Sequence, residues 1–164
     1  MKAVLQRVKR AEVRVDGEAV GAIERGGFIL LGVLAGDVEG DADRLAARIA
    51  RFRYFPDDAG RMNLSALDLA ERNLRADLLV VSQFTLAADG RKGRRPSFDR
   101  AAKPEVARAL YERFCSALRG FGLVVETGRF AAKMEVELVN DGPVTFVLDE
   151  PAASPSDAQR ESSA

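Results

Sequence analysis

Two short runs of apolar residues, Phe28-Ile29-Leu30-Leu31-Gly32-Val33-Leu34 and Leu78-Leu79-Val80-Val81, are the features that most constrain this chain. Neither run alternates, so each reads as a strand covered on both faces. A strand of that kind needs a layer above it and a layer below it. The chain of 164 residues is long enough for such a core, since a domain of this size buries roughly 70% of the surface its unfolded chain exposes.

The remaining segments supply the layers. Val13 and Val15 alternate with Glu12 and Arg14, Asp16-Gly17 is a two-residue hairpin signal, and Val20 and Ile23 continue the return strand. Asp37 to Arg53 changes period: Leu45, Ile49 and Phe52 recur on one face, with acidic Asp37, Glu39, Asp41 and Asp43 crowding the start, where the helix dipole favours them. A second helix runs from Pro104 to Leu118, with Val106, Leu110, Phe114 and Leu118 on its apolar face and Gly120 ending it. Leu123 to Glu126, Met134 to Val139 and Val144 to Leu148 read as strands, the last two joined by Asn140-Asp141-Gly142-Pro143. Residues 1–149 are expected to form one domain. From Pro151 onward no large apolar residue occurs, and 150–164 reads as a disordered tail.

What is missing narrows the chemistry. There is no His, and Cys115 is the one cysteine. A single chain therefore has no Ser-His-Asp or Cys-His catalysis, no imidazole base, no zinc site of the usual Cys/His kind and no intramolecular disulfide. Cys115, on the apolar helix, reads as an inert core thiol. One thiol, no long apolar run at the N-terminus and no stretch near the ~20 apolar residues of a membrane span lead to the expectation of a cytoplasmic protein with no membrane contact. No metal site and no cofactor are expected.

Lys+Arg 25 against Asp+Glu 25 gives zero net charge, so any polyanion must be met locally. Arg91-Lys92-Gly93-Arg94-Arg95 is the densest cluster; it reads either as a solvated loop or as a phosphate-neutralising patch.

Two further segments carry polar groups in informative places. Ser82-Gln83-Phe84-Thr85 closes a buried strand, which is a common place for a site and an equally common place for a capped strand end. On a regular strand Ser82 and Thr85 face opposite sides, so both serve one site only if the chain bends. With no base to activate a hydroxyl, backbone N–H groups holding a developing oxyanion are the more plausible machinery. Gly142-Pro143 offers main-chain carbonyls beside a residue without Cβ, where a ligand can approach closely.

Ser82-Gln83-Phe84-Thr85, the basic stretch ending in Arg95-Pro96-Ser97-Phe98, Asn140-Asp141-Gly142-Pro143-Val144-Thr145 and Gln6-Arg7-Val8, in this order, resemble the D-aminoacyl-tRNA deacylases over about residues 1 to 149. The resemblance implies a mixed α/β fold, with antiparallel-rich strands in two layers and two main helices on one face, a three-layer α/β/β arrangement. It implies hydrolysis of the ester joining a D-amino acid, or glycine, to the terminal adenosine of tRNA, and hence proofreading of translation. It also implies a homodimer in which Gly142 and Pro143, joined by a cis peptide, enter the partner's pocket as a chirality filter. By the same resemblance Arg7 holds that loop, and Ser82, Gln83, Phe84, Thr85 and Met134 line the pocket, with amides near Phe84 and Thr85 facing the ester. The 2′-hydroxyl of the ribose, rather than a protein base, assists the attack, which suits a chain without His and leaves Thr85 a pocket residue. Arg91, Lys92, Arg94 and Arg95 then hold acceptor-stem phosphates. The chain departs from the family at Ala87, where many relatives are aromatic, at Lys133, in a longer connection over residues 69–76, and in the tail. Two alternatives stay open: a non-catalytic nucleic-acid-binding module, and a relative editing an L-amino acid through a trans Gly142-Pro143 bond.

Overall fold

The computed structural model describes residues 1–91 and 93–150; Lys92 and, of the tail expected over 150–164, residues 151–164 lie outside them, while Glu150 is tied to the domain through its N–H to the Met1 carbonyl at 2.8 Å. Eight strands and three helices follow in the order β1 (Lys2–Val15), β2 (Glu18–Ile23), β3 (Gly26–Gly32), α1 (Glu39–Arg51), β4 (Phe55–Pro56), β5 (Met62–Leu64), α2 (Ala66–Glu71), β6 (Asp77–Ser82), α3 (Pro104–Gly120), β7 (Val125–Thr127) and β8 (Glu135–Asp149). A short 3-10 turn, Phe84–Ala87, follows β6.

β1 organises the main sheet. Its inner half pairs with β3 from Lys2 opposite Gly32 to Val8 opposite Gly26, its outer half pairs with β2, and its other edge pairs with β8 over nearly the whole length, all antiparallel. β3 then pairs in parallel with β6, and β6 with β7. The sheet is mixed and curls on itself, so the two expected strand layers are the two halves of one sheet. The Asp16-Gly17 turn forms as expected, with both residues at positive φ, the conformation a two-residue hairpin requires.

The double-sided burial of β3 and β6 has a direct origin in the sheet's alternation. Ile29, Leu31, Leu78 and Val80 point to one core, shared with Leu45, Ile49, Phe114 and Leu118 of α1 and α3. Phe28, Leu79 and Val81 point to the other, inside the curl, with Val8, Val13 and Ile23. Each of these side chains contributes on the order of 1.5–3 kcal/mol by leaving water. Tyr111 adds a direct tie, its hydroxyl donating to the Val80 carbonyl at 2.8 Å, so α3 is hydrogen-bonded as well as packed onto β6.

Several boundaries move. At the start of α1 the carboxylate of Asp41, fully buried, accepts from the Val38 N–H at 2.8 Å and pairs with Arg44. Asp37, outside the helix, serves a different purpose: it binds the Met1 amino group at 2.8 Å and the Leu34 N–H at 2.6 Å. Val106 does not share the core face of α3 but is exposed, whereas Leu110, Phe114 and Leu118 are buried. The helix runs on through Gly120, and the positive φ falls instead at Gly122. α2 was not expected; Ser65 caps it, accepting from the Asp68 N–H at 3.1 Å while Asp68 accepts from Ser65 N at 2.7 Å.

The largest correction concerns the last strands. They are not two strands about a turn but one strand, β8, interrupted by an extruded loop. Gln6 pairs with Thr145 and Val8 with Asn140, so Asp141, Gly142, Pro143 and Val144 stand opposite the single residue Arg7. Both flanks keep the same direction along β1. The Asn-Asp-Gly-Pro chemistry pushes the backbone out of the ladder without reversing it.

Cys115 is buried, and burial pushes its thiol up to about 11. It should therefore remain protonated and unlabelled by a maleimide at pH 8, and react stoichiometrically once the protein is unfolded in guanidinium; rapid native labelling would show that α3 opens.

Candidate active site

A cavity of about 550 Å³ lies at the carboxyl ends of β3 and β6, between the start of α3 and the segment leading into β8. Open parallel sheets commonly place ligands at such strand ends. Ser82, Gln83 and Phe84 form one wall, Met134 and Val136 another, and Ala101, Ala102 and Ala107 a third.

The bend needed beyond Ser82 is present. The strand stops there, Gln83 N donates to the Leu31 carbonyl at 2.8 Å, and the chain turns into the 3-10 segment. That segment lies tightly over Gly32, where an added Cβ would fall 2.8 Å from Leu86 Cβ and 3.1 Å from the Gln83 carbonyl. Only glycine lets the turn sit so close to the strand. The amides of Phe84 and Thr85, at the open start of the turn, have no main-chain acceptor among the described residues.

Of the residues predicted from sequence, the cavity gathers Ser82, Gln83, Phe84 and Met134. Thr85 is not on its wall; its hydroxyl accepts a hydrogen bond from Gln83 Nε2 at 2.6 Å. Lys133 and Ala87 do not line it either, and Ala87 is buried in the 3-10 turn. The sequence reading missed Phe130 and the alanines. Their sequence signal was slight, small residues just before and within the first turns of α3; the structure adds that Ala131, also in the wall, has positive φ, 61°.

Arg7, Gly142 and Pro143 do not line this cavity. They form a second cluster at the extruded loop. Arg7 Nη1 donates to the Tyr54 carbonyl at 2.8 Å, and Arg7 Nε lies 3.0 Å from the Asp141 carboxylate as an ion pair. Asn140 spans the neck, its Nδ2 donating to the Arg7 carbonyl at 2.9 Å and the Val144 carbonyl at 3.2 Å. Gln6 Nε2 donates to Thr145 Oγ1 at 3.2 Å. Above this base Gly142 and Pro143 are exposed, the bond between them is cis, and Gly142 has φ +137°, where an added Cβ would lie 2.6 Å from a Val144 methyl.

The basic segment is a third cluster. Asp89 and Ser97 exchange two main-chain hydrogen bonds, 2.8 and 2.9 Å, so Arg91 to Arg95 sit on a closed loop. Arg91 is spent internally: its Nε and Nη2 grip the Asp89 carboxylate at 2.9 and 2.5 Å, which holds that carboxyl well below the usual carboxylate range. Arg94 and Arg95 are exposed and have no carboxylate partner among the described residues. No group of three or more His, Cys, Asp or Glu able to hold a metal occurs among the described residues.

The D-Tyr-tRNA(Tyr) deacylase family model matches residues 4–149. The chain belongs to this family. It is 55% identical over 154 residues to a D-aminoacyl-tRNA deacylase of Geobacter metallireducens, covering 94% of this chain and 99% of that one, and 56% identical over 149 residues to one of Anaeromyxobacter dehalogenans, covering 91% and 97%. A solved structure named c-Myc DNA Unwinding Element Binding Protein superposes with TM-score 0.84 at 38% identity, over 93% of this chain and all of that one. A second, described as a probable eukaryotic D-amino acid tRNA deacylase, shares the fold with TM-score 0.75 at 19% identity, over 90% and 97%. The deacylase is a hydrolase of the ester bond in D-aminoacyl-tRNA. No helix among the described residues is long and apolar enough to cross a membrane.

Tyr54 hands Arg7 its carbonyl while its own hydroxyl is buried with no hydrogen-bond partner among the described residues. A donor left in that state costs about 1–3 kcal/mol. Tyr54→Phe should hold or raise the melting temperature with deacylation intact; clear destabilisation would mean the hydroxyl is bound, for instance by buried water.

Proposed function

We propose that the deacylase reads chirality through main chain alone, and that its site is completed by a second copy of the chain. Ser82, Gln83, Phe84, Thr85 and Met134 form the receiving half, with the Phe84 and Thr85 amides holding the oxyanion that develops on the ester carbonyl. Gly142 and Pro143 form the filter. Their carbonyls leave room for the side chain of a D-configured Cα and collide with that of an L one, so D side chains of many kinds, and glycine, are accepted. Attack is assisted by the ribose 2′-hydroxyl. The reaction is proofreading, in the cytoplasm where tRNA is charged, and needs no metal or cofactor.

The extruded loop is the single observation that carries this reading. Asp141 to Val144 are pushed out of β8, clamped at the neck by Arg7 and Asn140, and left exposed at a tip that does not line the chain's own cavity. A rigid, exposed main-chain tip and an open cavity on the same chain fit a reciprocal exchange between two copies.

Release of amino acid from D-Tyr-tRNA and L-Tyr-tRNA tests it. The native protein should cleave the D ester only, and Gly142→Ala should lose that activity, because the new Cβ meets Val144 where φ already disfavours it. The exchange has its own test. Gly142→Ala and Gln83→Ala homodimers, each inactive, should regain roughly a quarter of native activity when unfolded and refolded together, since half of the mixed dimers' sites are intact. No recovery from two folded partners would place filter and pocket on one chain.

The neighbour named for DNA binding and the unpaired Arg94 and Arg95 favour a nucleic-acid-binding surface on the same molecule. In this reading the cluster Arg91, Lys92, Arg94 and Arg95 faces acceptor-stem phosphates, and among its described residues Arg94 and Arg95 make the contact, since Arg91 is engaged with Asp89. Neutralising both to Gln should raise KM for D-Tyr-tRNA and reduce the slope of log KM against log salt by about two. An unchanged slope rules the loop out.

A further inference from the structure

Phe84 and Phe98 are the only aromatic side chains among the large apolar residues that stand exposed in the described chain, at 57% and 37%. They are in contact, their ring centroids 5.0 Å apart and the planes inclined by 59°. The other phenylalanines are buried or half-buried, and two exposed rings that meet leave a continuous apolar step on the surface.

Their placement says what the step is for. Phe84 borders the cavity, whereas Phe98 does not and lies beyond it, three residues from Arg95. The path outward from the pocket is therefore cavity, Phe84, Phe98, basic loop. Around Phe98 the described segment 88–103 carries Arg91, Arg94, Arg95, Arg100 and Lys103 against Asp89 and Asp99, and Asp89 is already held by Arg91. An exposed aromatic face braced by a second, inclined ring and set among cations is complementary to a nucleobase with its phosphate, not to an apolar peptide. Both rings ride on fixed backbone. Phe84 is in the turn seated over Gly32; Phe98 is flanked by the Asp89–Ser97 pair and by Ala101 N donating to its carbonyl at 2.9 Å, and Ala35 N binds the Arg100 carbonyl at 2.9 Å. Little ordering is needed when a ligand arrives.

We propose that the Phe84–Phe98 pair is a stacking platform for an unpaired base of the acceptor end of the substrate, upstream of the nucleotide whose ester enters the cavity. The proposal rests on the cavity being the ester site. It adds a contact that reads RNA shape, is indifferent to base identity, and makes no use of phosphate charge.

The test compares D-Tyr-tRNA with the minimal ester D-tyrosyl-adenosine, which has no upstream nucleotide, in native protein and in Phe98→Ala, Phe98→Leu and Phe98→Tyr. Stacking on one base predicts that Phe98→Ala and Phe98→Leu raise the ratio of KM for tRNA to KM for the minimal ester roughly 5- to 150-fold, and that Phe98→Tyr restores it. The salt slope should stay that of the native protein, which separates the platform from the basic loop. The proposal fails if Phe98→Leu matches Phe98→Tyr, if both substrates lose equally, or if sedimentation shows that Phe98→Leu alters the oligomeric state, which would make the rings a subunit contact. Should Phe98→Ala not fold, Leu against Tyr decides. Gln83→Ala on the minimal ester reports on the cavity separately: full activity there would remove the ester site while leaving the Phe98 result to be read on tRNA.

Discussion

The pairing of β1 with β8, from Lys2 opposite Asp149 to Arg14 opposite Glu135, ties the two ends of the described chain together, and the sheet hangs from β1 on both sides. Everything that matters to the site follows from that ladder. It gives β3 and β6 an edge on which to assemble, and it supplies the straight rail from which four residues are forced outward. The loop is stiff because its two flanks cannot separate: each is held to β1 by main-chain bonds, and Arg7, the residue it bypasses, ties it inward to the Tyr54 carbonyl and the Asp141 carboxylate. A largely covered guanidinium is costly to desolvate, and here the half-exposed Asp141 carboxylate and the Tyr54 carbonyl offset that cost.

Much of this was legible before any coordinates. The unbroken apolar runs meant strands covered twice, and Ile29 and Leu31 do face one core while Phe28 faces the other. Asp16-Gly17 meant a tight hairpin, and the i, i+4 spacing of Leu45 and Ile49 meant a helix against the sheet. Ser82, Gln83 and Phe84, singled out at a strand end, and Met134, implied by the resemblance alone, line one cavity. What escaped has a common cause. Asn140-Asp141-Gly142-Pro143 carries the residues of a chain reversal, and an extruded loop demands the same ones, a positive φ and a missing donor; which of the two forms is decided by β1, more than 130 residues away. Ala101, Ala102 and Ala107, two before α3 and one in it, carry no chemistry to flag them, because the space they leave open is defined by β6 and Phe130, not by their own neighbours. Arg91 counted as a free cation until Asp89, two residues back, turned out to hold it.

The lack of imidazole is consistent with how the clusters are built. At the cavity the Phe84 and Thr85 amides make no main-chain hydrogen bond among the described residues, and at the loop tip Gly142 leaves the backbone without a covering Cβ. Such groups need no proton taken from them to be ready, and their directions are set by hydrogen bonds elsewhere rather than by rotamers. The side chains around them act chiefly as spacers and clamps, as Gly32 does by its absence of bulk and Asn140 by bridging two carbonyls.

The alternation in β3 and β6 has a further consequence for how such a chain can vary in length. Successive residues of these strands belong to different cores, so one inserted or deleted residue would exchange the two sets of side chains from that point on, sending Leu79 and Val81 toward the helices and Leu78 and Val80 into the curl. The two spaces differ in shape and in their partners, and no local adjustment restores both. Changes of length are therefore best absorbed in connections that pair with nothing central, such as the turn Asp57 to Gly60 or the stretch after α2. The parallel pair at the centre of the sheet acts as a ruler whose divisions cannot shift.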